Sequence, residues 1–229
     1  MNVPEYGVAL FLRTVGSDRT VAEEIFGTNH YELFHEIKVG DVVVDAGANI
    51  GCFSVKACKK VGEHGRVFAI EPSSSNFDLL RKSVAQNGFE QVCTMFHLAL
   101  GKSKDIKSLK VYGREWSDTL LDVKKSNSPI RTERVRVERL DDILPPNLSR
   151  LDLVKIDVEG SELELLAGAR ETLNRFHPDV VVESHSFGPA SEEIAFFLSS
   201  ECGYRSETVA SGGDVYVYGT RDVSLTPPV

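Results

Sequence analysis

No two cysteines in this chain stand in a C-x-x-C arrangement; Cys52, Cys58, Cys93 and Cys202 are scattered. That spacing carries no zinc or redox motif, and the expectation is four reduced thiols in a cytoplasmic protein. No apolar run approaches the roughly 18 residues of a membrane span. The run Val8 to Leu12 is too short for the core of a secretion signal, and no basic residue precedes it. Internal repeats and low-complexity segments are absent as well. Positive charge is in deficit: 26 Lys and Arg face 34 Asp and Glu, a net charge of −8. An acidic surface repels phosphate backbones, so no nucleic-acid partner and no membrane partner is expected. What remains is ordinary globular material, 229 residues with 41% hydrophobic and 26% charged side chains. That is enough to bury a full core without disulfide or metal staples, as one domain or one domain with an insertion.

Residues 1–40 read as an N-terminal helical segment. Ser17 or Asp18 starts a short helix over 17–27, with Val21 and Ile25 on one face and Gly27 to stop it. From residue 42 the pattern changes. Val42 to Val44 is a continuous apolar run of the kind a parallel strand buried on both faces requires. Further strand-like segments are Arg66–Glu71, Val92–Leu98, Leu151–Asp157, Asp179–Glu183 and Asp214–Tyr218. Helical patterns fall at 76–87, 161–175 and 190–200, and Ser161 with Glu164 has the spacing of a capping box. Strands alternating with helices predict a doubly wound α/β sheet over 41–220. The tail 221–229 reads as frayed.

Residues 102–139 break the alternation. They hold two strand-like pieces, Ser108–Tyr112 and Arg134–Glu138, around a polar middle. Eleven Lys and Arg against six acids give this stretch a net charge of +5. It is expected to insert before the fourth strand and to cover the ligand crevice. Lys124 and Lys125 are then positioned to choose an anionic acceptor; a plain solvated face is the alternative.

The segment Val43-Val-Asp-Ala-Gly-Ala-Asn-Ile-Gly51 runs from a strand into a glycine-shaped turn. A dinucleotide site of the G-x-G-x-x-G kind wants glycine at 47, 49 and 52, and here positions 49 and 52 are Asn and Cys. A carboxylate at Asp45 suits a cationic ligand better than a pyrophosphate. S-adenosylmethionine, with an ammonium, a sulfonium and no phosphate, fits that charge. Glu71 ends the second strand, 26 positions after Asp45, where such folds place an acid on the ribose hydroxyls. Both acids read otherwise as mere strand ends.

Together with Phe68-Ala-Ile-Glu-Pro72, Leu98-Ala-Leu-Gly101 and Val137-Glu-Arg-Leu-Asp-Asp142, the stretch Leu153-Val-Lys-Ile-Asp-Val-Glu-Gly-Ser-Glu162 resembles the FkbM family of methyltransferases. The likeness runs from about Tyr31 to Tyr204. It implies a class I methyltransferase fold: Rossmann-like, with a mostly parallel seven-stranded sheet and helices on both faces. It also implies S-adenosylmethionine as methyl donor and O-methylation of a hydroxyl on a small molecule or sugar. By position, Asp45, Gly47, Ala48, Asn49, Gly51, Glu71, Pro72, Ser73 and Ala99 are the donor-binding candidates. Ser117 and Asp118 resemble a family position near the acceptor, and Tyr31 is a further candidate there.

The carboxylates also make sense chemically. An alcohol is a poor nucleophile, so a base or a metal near the hydroxyl helps transfer. Asp157 and Glu159 lie two apart at a strand end and point the same way. Glu183 and His185 repeat the spacing after the next strand. These four form a base with its orienter, or offer mixed ligands to a divalent metal. The bland alternatives are a strand-end turn for Asp157, a helix N-terminus partner for Glu159 and a loop histidine at 185. At the level of function, the rivals are an RNA or protein methyltransferase and an inactive donor-binding module.

Overall fold

The structure is a computed structural model, and it describes residues 1–112, 118–121, 129–211 and 213–220. The chain opens with a small hairpin, β1 (Asn2–Val3) and β2 (Val8–Ala9), then α1 (Asp18–Gly27) and a 3-10 turn at His30–Glu32. There follow β3 (Val42–Ala46), α2 (Cys52–Val61), β4 (Arg66–Ile70), α3 (Ser74–Gln86) and β5 (Cys93–Phe96). A short side unit comes next: β6 (Ala99–Leu100), β7 (Asp105–Val111), β8 (Arg131–Glu138) and α4 (Leu140–Ile143). The chain then returns as β9 (Leu153–Ile156), α5 (Glu162–Ala167), α6 (Arg170–Phe176) and β10 (Asp179–Ser184). It closes with α7 (Ser191–Cys202), β11 (Arg205–Ser211) and β12 (Asp214–Thr220).

Seven strands form one sheet in the order β11-β12-β10-β9-β3-β4-β5. The run from β10 to β5 is parallel, and β12 is antiparallel to both its neighbours. Successive side chains of a strand point to opposite faces. Val43, Val67, Ala69, Leu153 and Val181 accordingly join α2, α3 and the N-terminal segment in one core. Val42, Val44, Phe68, Ile70, Val154, Ile156, Val180 and Val182 join α5, α6 and α7 in the other. This parity puts Asp45, Lys155, Asp157 and Glu183 on the same side of the sheet as Val43, Leu153 and Val181. Chain order reverses at β3, which has β4 on one side and β9 on the other. Ligands of open α/β sheets bind at that point, beyond the carboxyl ends of the strands.

Several sequence expectations differ in detail. Residues 1–40 hold a hairpin as well as the helix, and β11 carried no clear strand pattern. The helix expected over 161–175 is two helices. It breaks at Gly168, where a Cβ would meet the Gly101 carbonyl oxygen at 2.0 Å. The second half has its own cap, since Asp141 accepts from the Thr172 amide at 2.7 Å. The expected Ser161 capping box is not formed; Glu162, two residues on, takes the Gly160 amide at 2.8 Å. The 102–139 stretch supplies β7 and β8, which pair with β6 in a separate three-stranded sheet with a small core of its own. Ser117, Lys124, Lys125 and the tail 221–229 lie outside the described residues. No described helix is long and apolar enough to cross a membrane.

Candidate active site

The chain leaves β3 through Gly47 at φ 79° and Asn49 at φ 50°. A Cβ at Gly47 would lie 1.7 Å from the Asp157 carbonyl oxygen, so only glycine lets this loop pass so close to the end of β9. The Gly47 and Ala48 amides donate to the Ile70 carbonyl, which fixes the loop against β4. Two clefts open on either side of it.

The first cleft, about 600 Å³, is lined by Gly47, Asn49, Glu71, Pro72, Asn76 and Ala99, with Leu109, Asp118 and Leu120 from the side unit and its loop. Glu71 is the polar anchor. Its Oε2 accepts from the Asn49 amide and its Oε1 from the Ser73 amide, both at 2.8 Å. Oε1 also accepts from Asn76 Nδ2 at 3.5 Å, so it is Oε2 that keeps a lone pair for a ligand hydroxyl. Burial pushes the Glu71 carboxyl up to about 7, although those two amides and Asn76 pull the other way. Asn49 Oδ1 is buried with no hydrogen-bond partner among the described residues, an acceptor waiting for a donor.

The second cleft, about 960 Å³, shares Gly47, Asn49, Asp157 and Glu159 with the first. Its further walls are Val21, Glu24 and Ile25 of α1, Tyr31, Phe53 and Phe187. Four expected groups converge here. His185 Nε2 lies 3.5 Å from Asp157, 3.7 Å from Glu183 and 3.8 Å from Glu159. Tyr31 donates its hydroxyl to Glu183 Oε2 and lies 3.4 Å from Asp157 Oδ2. Asp157, Glu183 and His185 each offer one atom within 4.8 Å of the others, a set that also suits a divalent ion.

The electrostatics bear on which of these groups is the base and which its orienter. Burial disfavours a charged His185, but Glu162, Asp157, Glu159 and Glu183 outweigh it and raise the imidazole to about 10. A protonated imidazole is a donor at both nitrogens, so His185 orients carboxylates and is no base at neutral pH. Glu183 is pushed up to about 8, first by burial and then by Asp157, against the pull of Tyr31, His185 and Lys155.

Other candidates land elsewhere than expected. Asp45 is fully buried behind the loop, 3.2 Å from Lys155 Nζ and accepting from Ser54 at 2.5 Å. It lines neither cleft, and its carboxylate faces Lys155. Gly51, at the start of α2, packs on Leu80, and Ser73 is buried beneath Glu71; neither faces a cleft. Ala48 lines the second cleft and Pro72 and Ala99 the first. Asp118 sits in the first cleft and accepts from the Tyr112 amide at 3.1 Å, and burial raises its carboxyl. It shares that cleft with Glu71 and Asp157, while His185 lines the second cleft. Among the described residues of 102–139, Leu109, Asp118 and Leu120 line the first cleft and none lines the second.

Glu159 sits at φ 54°, and its carbonyl accepts from Thr119 Oγ1 at 2.7 Å. Sequence reasoning gave no role to Lys155 or Glu162. Lys155 lies two residues before Asp157 on the same strand face, a signal period-two counting would have caught. Glu162 is the fully buried partner of His185 Nδ1 at 3.4 Å.

A family model described as the methyltransferase FkbM domain matches residues 45–206. The chain belongs to the FkbM family of methyltransferases. This FkbM methyltransferase is 29% identical over 192 residues to "Methyltransferase sdnD" of Sordaria araneosa, covering 72% of this chain and 73% of that one. It is also 29% identical to "31-O-demethyl-FK506 methyltransferase FkbM" of Streptomyces tacrolimicus over 215 residues, 80% of each chain. The crystal structure of methyltransferase FkbM from Methylobacillus flagellatus KT superposes with TM-score 0.55 at 20% identity. That match covers 79% of this chain and 43% of the other. Aeropyrum pernix fibrillarin with bound S-adenosyl-L-methionine gives 0.54 at 11% identity, covering 88% and 74%. At such identities these two structures establish the class I methyltransferase fold alone.

Proposed function

We propose that this FkbM methyltransferase transfers the methyl group of S-adenosylmethionine to a hydroxyl of a small molecule or sugar. The observation that carries the reading is the position of Asp157, which lines both clefts and meets Tyr31, His185 and Lys155. The donor fits the first cleft by its polar atoms: Glu71 Oε2 keeps a lone pair for a ribose hydroxyl, and Asn49 Oδ1 lacks a donor. Bound there, it supplies an electrophilic methyl group.

The chain's own residues do the rest. Asp157 accepts a hydrogen bond from the acceptor hydroxyl and orients its oxygen towards the junction of the clefts. As the O–H proton is released it passes to Asp157, beside the Glu183–Tyr31 pair. Glu183, raised to about 8, stands beside it as a further resting place for the proton. His185 and Lys155 keep the carboxylates from repelling one another. A relative named for acting on 31-O-demethyl-FK506 supports oxygen as the methylated atom. An RNA acceptor fits less well, because Glu24, Asp157, Glu159, Glu183 and Asp214 line the second cleft. The test is incubation with labelled methyl donor and metabolite fractions, followed by mass analysis of the product. A label found on nitrogen, carbon or RNA sinks this reading.

A further inference from the structure

Lys155 is 3% exposed in the middle of β9, in register with Asp45 of β3 on one side and Val181 of β10 on the other. Its ammonium has three protons to place. Nζ donates to the Gly47 carbonyl at 2.9 Å, lies 3.2 Å from Asp45 Oδ1 and 3.4 Å from Asp157 Oδ2. The Tyr31 ring packs against it, with the centroid 5.1 Å away. One counter-ion, Asp45, would suffice to keep a buried lysine charged. The other two contacts serve something else: one is the glycine loop shared by both clefts, and the other is the carboxylate at their junction.

We propose that Lys155 is a positioning residue for methyl transfer: its ammonium ties the Gly47 carbonyl to the Asp157 carboxylate and is, beside His185, a resident cation of the acceptor rim. This rests on the methyl-transfer reading above. The tether sets the distance between the loop that cradles the donor and the group that receives the hydroxyl, and such spacing errors are costly in transfer reactions. It also bears on the metal alternative. Asp157 and Glu183 are two of the groups a divalent ion would use, and they already face Lys155 and the Tyr31 hydroxyl. Lys155 supplies there the positive charge that an ion would bring.

The variant Lys155→Met keeps the length and removes the charge. Its kcat is expected to fall about 100-fold, the low end for losing a positioned base, and its affinity for S-adenosylhomocysteine about tenfold as the Gly47 tether goes. Because Lys155 acts through Asp157, Lys155→Met/Asp157→Asn should be no slower than Asp157→Asn alone. Independent, multiplying losses, or an unchanged kcat in Lys155→Met, overturn the proposal. Should the variant not fold, the unaltered enzyme decides. Full turnover in excess EDTA is expected, and a loss that Mg²⁺ or Mn²⁺ restores overturns the resident-cation role. If the unaltered protein binds S-adenosylhomocysteine yet methylates no hydroxyl, the functional reading fails. Lys155 is then judged on the tether by calorimetry: a tenfold weaker variant upholds it and equal affinity ends it.

Discussion

Tyr31 and Glu183 are 152 positions apart in sequence, and the tyrosine hydroxyl donates to the carboxylate. The bond carries the N-terminal segment onto the rim of the sheet. It also steadies the ionised form of Glu183, which burial and Asp157 otherwise push up to about 8. If Glu183 must be ionised to take up the released proton, kcat should rise with pH through about 8. Tyr31→Phe removes a bond that favours the charged form, so the rise should move to higher pH. Glu183→Gln should abolish it. A flat pH profile in the parent enzyme would exclude Glu183 from proton transfer.

Asp157→Asn should lower kcat by on the order of 10²–10⁴-fold, the usual range for a positioned base. Donor affinity should stay within threefold of the parent, roughly 0.7 kcal/mol, because no cleft wall is removed. Single-turnover kinetics with saturating donor separates the two effects. Loss of donor binding equal to the loss of rate would make Asp157 a binding residue instead.

Glu71→Ala should weaken S-adenosylhomocysteine by roughly 10- to 100-fold, since a charge-assisted hydrogen bond is worth about 1.5–3 kcal/mol. The parent enzyme adds a pH signature. Ribose hydroxyls donate to the ionised carboxylate, and Glu71 rests at about 7, so donor affinity should improve as pH rises through that value. Calorimetry at several pH values reads both, with NAD binding far more weakly throughout.

Gly47 and Gly88 both sit at positive φ, 79° and 70°, but only Gly47 has backbone where a Cβ would go. Gly88→Ala should cost about 1 kcal/mol from strain alone. Gly47→Ala must also move the Asp157 carbonyl, so it should cost at least about 2 kcal/mol and disturb both clefts. Thermal melts of the pair, with donor titration, make the comparison. Equal costs would mean the loop yields freely.

Much of this was legible in the sequence where local pattern and function coincide. The apolar runs of β3 and β10 are continuous because both faces are buried, β9 is broken only by Lys155, and the acids Asp45, Asp157 and Glu183 stand at or just past the carboxyl ends of these runs. Asp157, Glu159, Glu183 and His185 could be grouped because neighbouring parallel strands end at one rim. What the pattern could not give was depth. Asp45 and Glu71 both follow apolar strands, yet Asp45 turns inward to Lys155 and Glu71 outward to a cleft. Strand register decides that, and register is a tertiary property. The place of Asp118 beside Glu71 was out of reach for the same reason, since the side unit folds against that cleft through long-range pairing. The sequence left open whether His185 is the base or its orienter, because it does not reveal that Glu162 lies 3.4 Å from its Nδ1.

That last point gives the sharpest pH test. The imidazole of His185 is raised from an ordinary 6.5 to about 10, with burial opposing the four carboxylates that raise it. A histidine held protonated in the fold binds its proton more tightly there than in the unfolded chain. Its contribution to stability is therefore fully present below 6.5 and is lost as pH rises through about 10. Between those limits the parent protein should lose melting temperature faster than His185→Gln, and the two curves should converge towards pH 10. At pH 7 the substitution removes a donor to Glu162 and a cation among carboxylates, at a cost of about 2 kcal/mol. Proton NMR of the parent reads the same equilibrium directly. The His185 ring signals should stay in the imidazolium position from pH 6 to 8. A His185 that titrates near 6.5 would be neutral at the pH of catalysis, and the base would then be the histidine rather than Asp157.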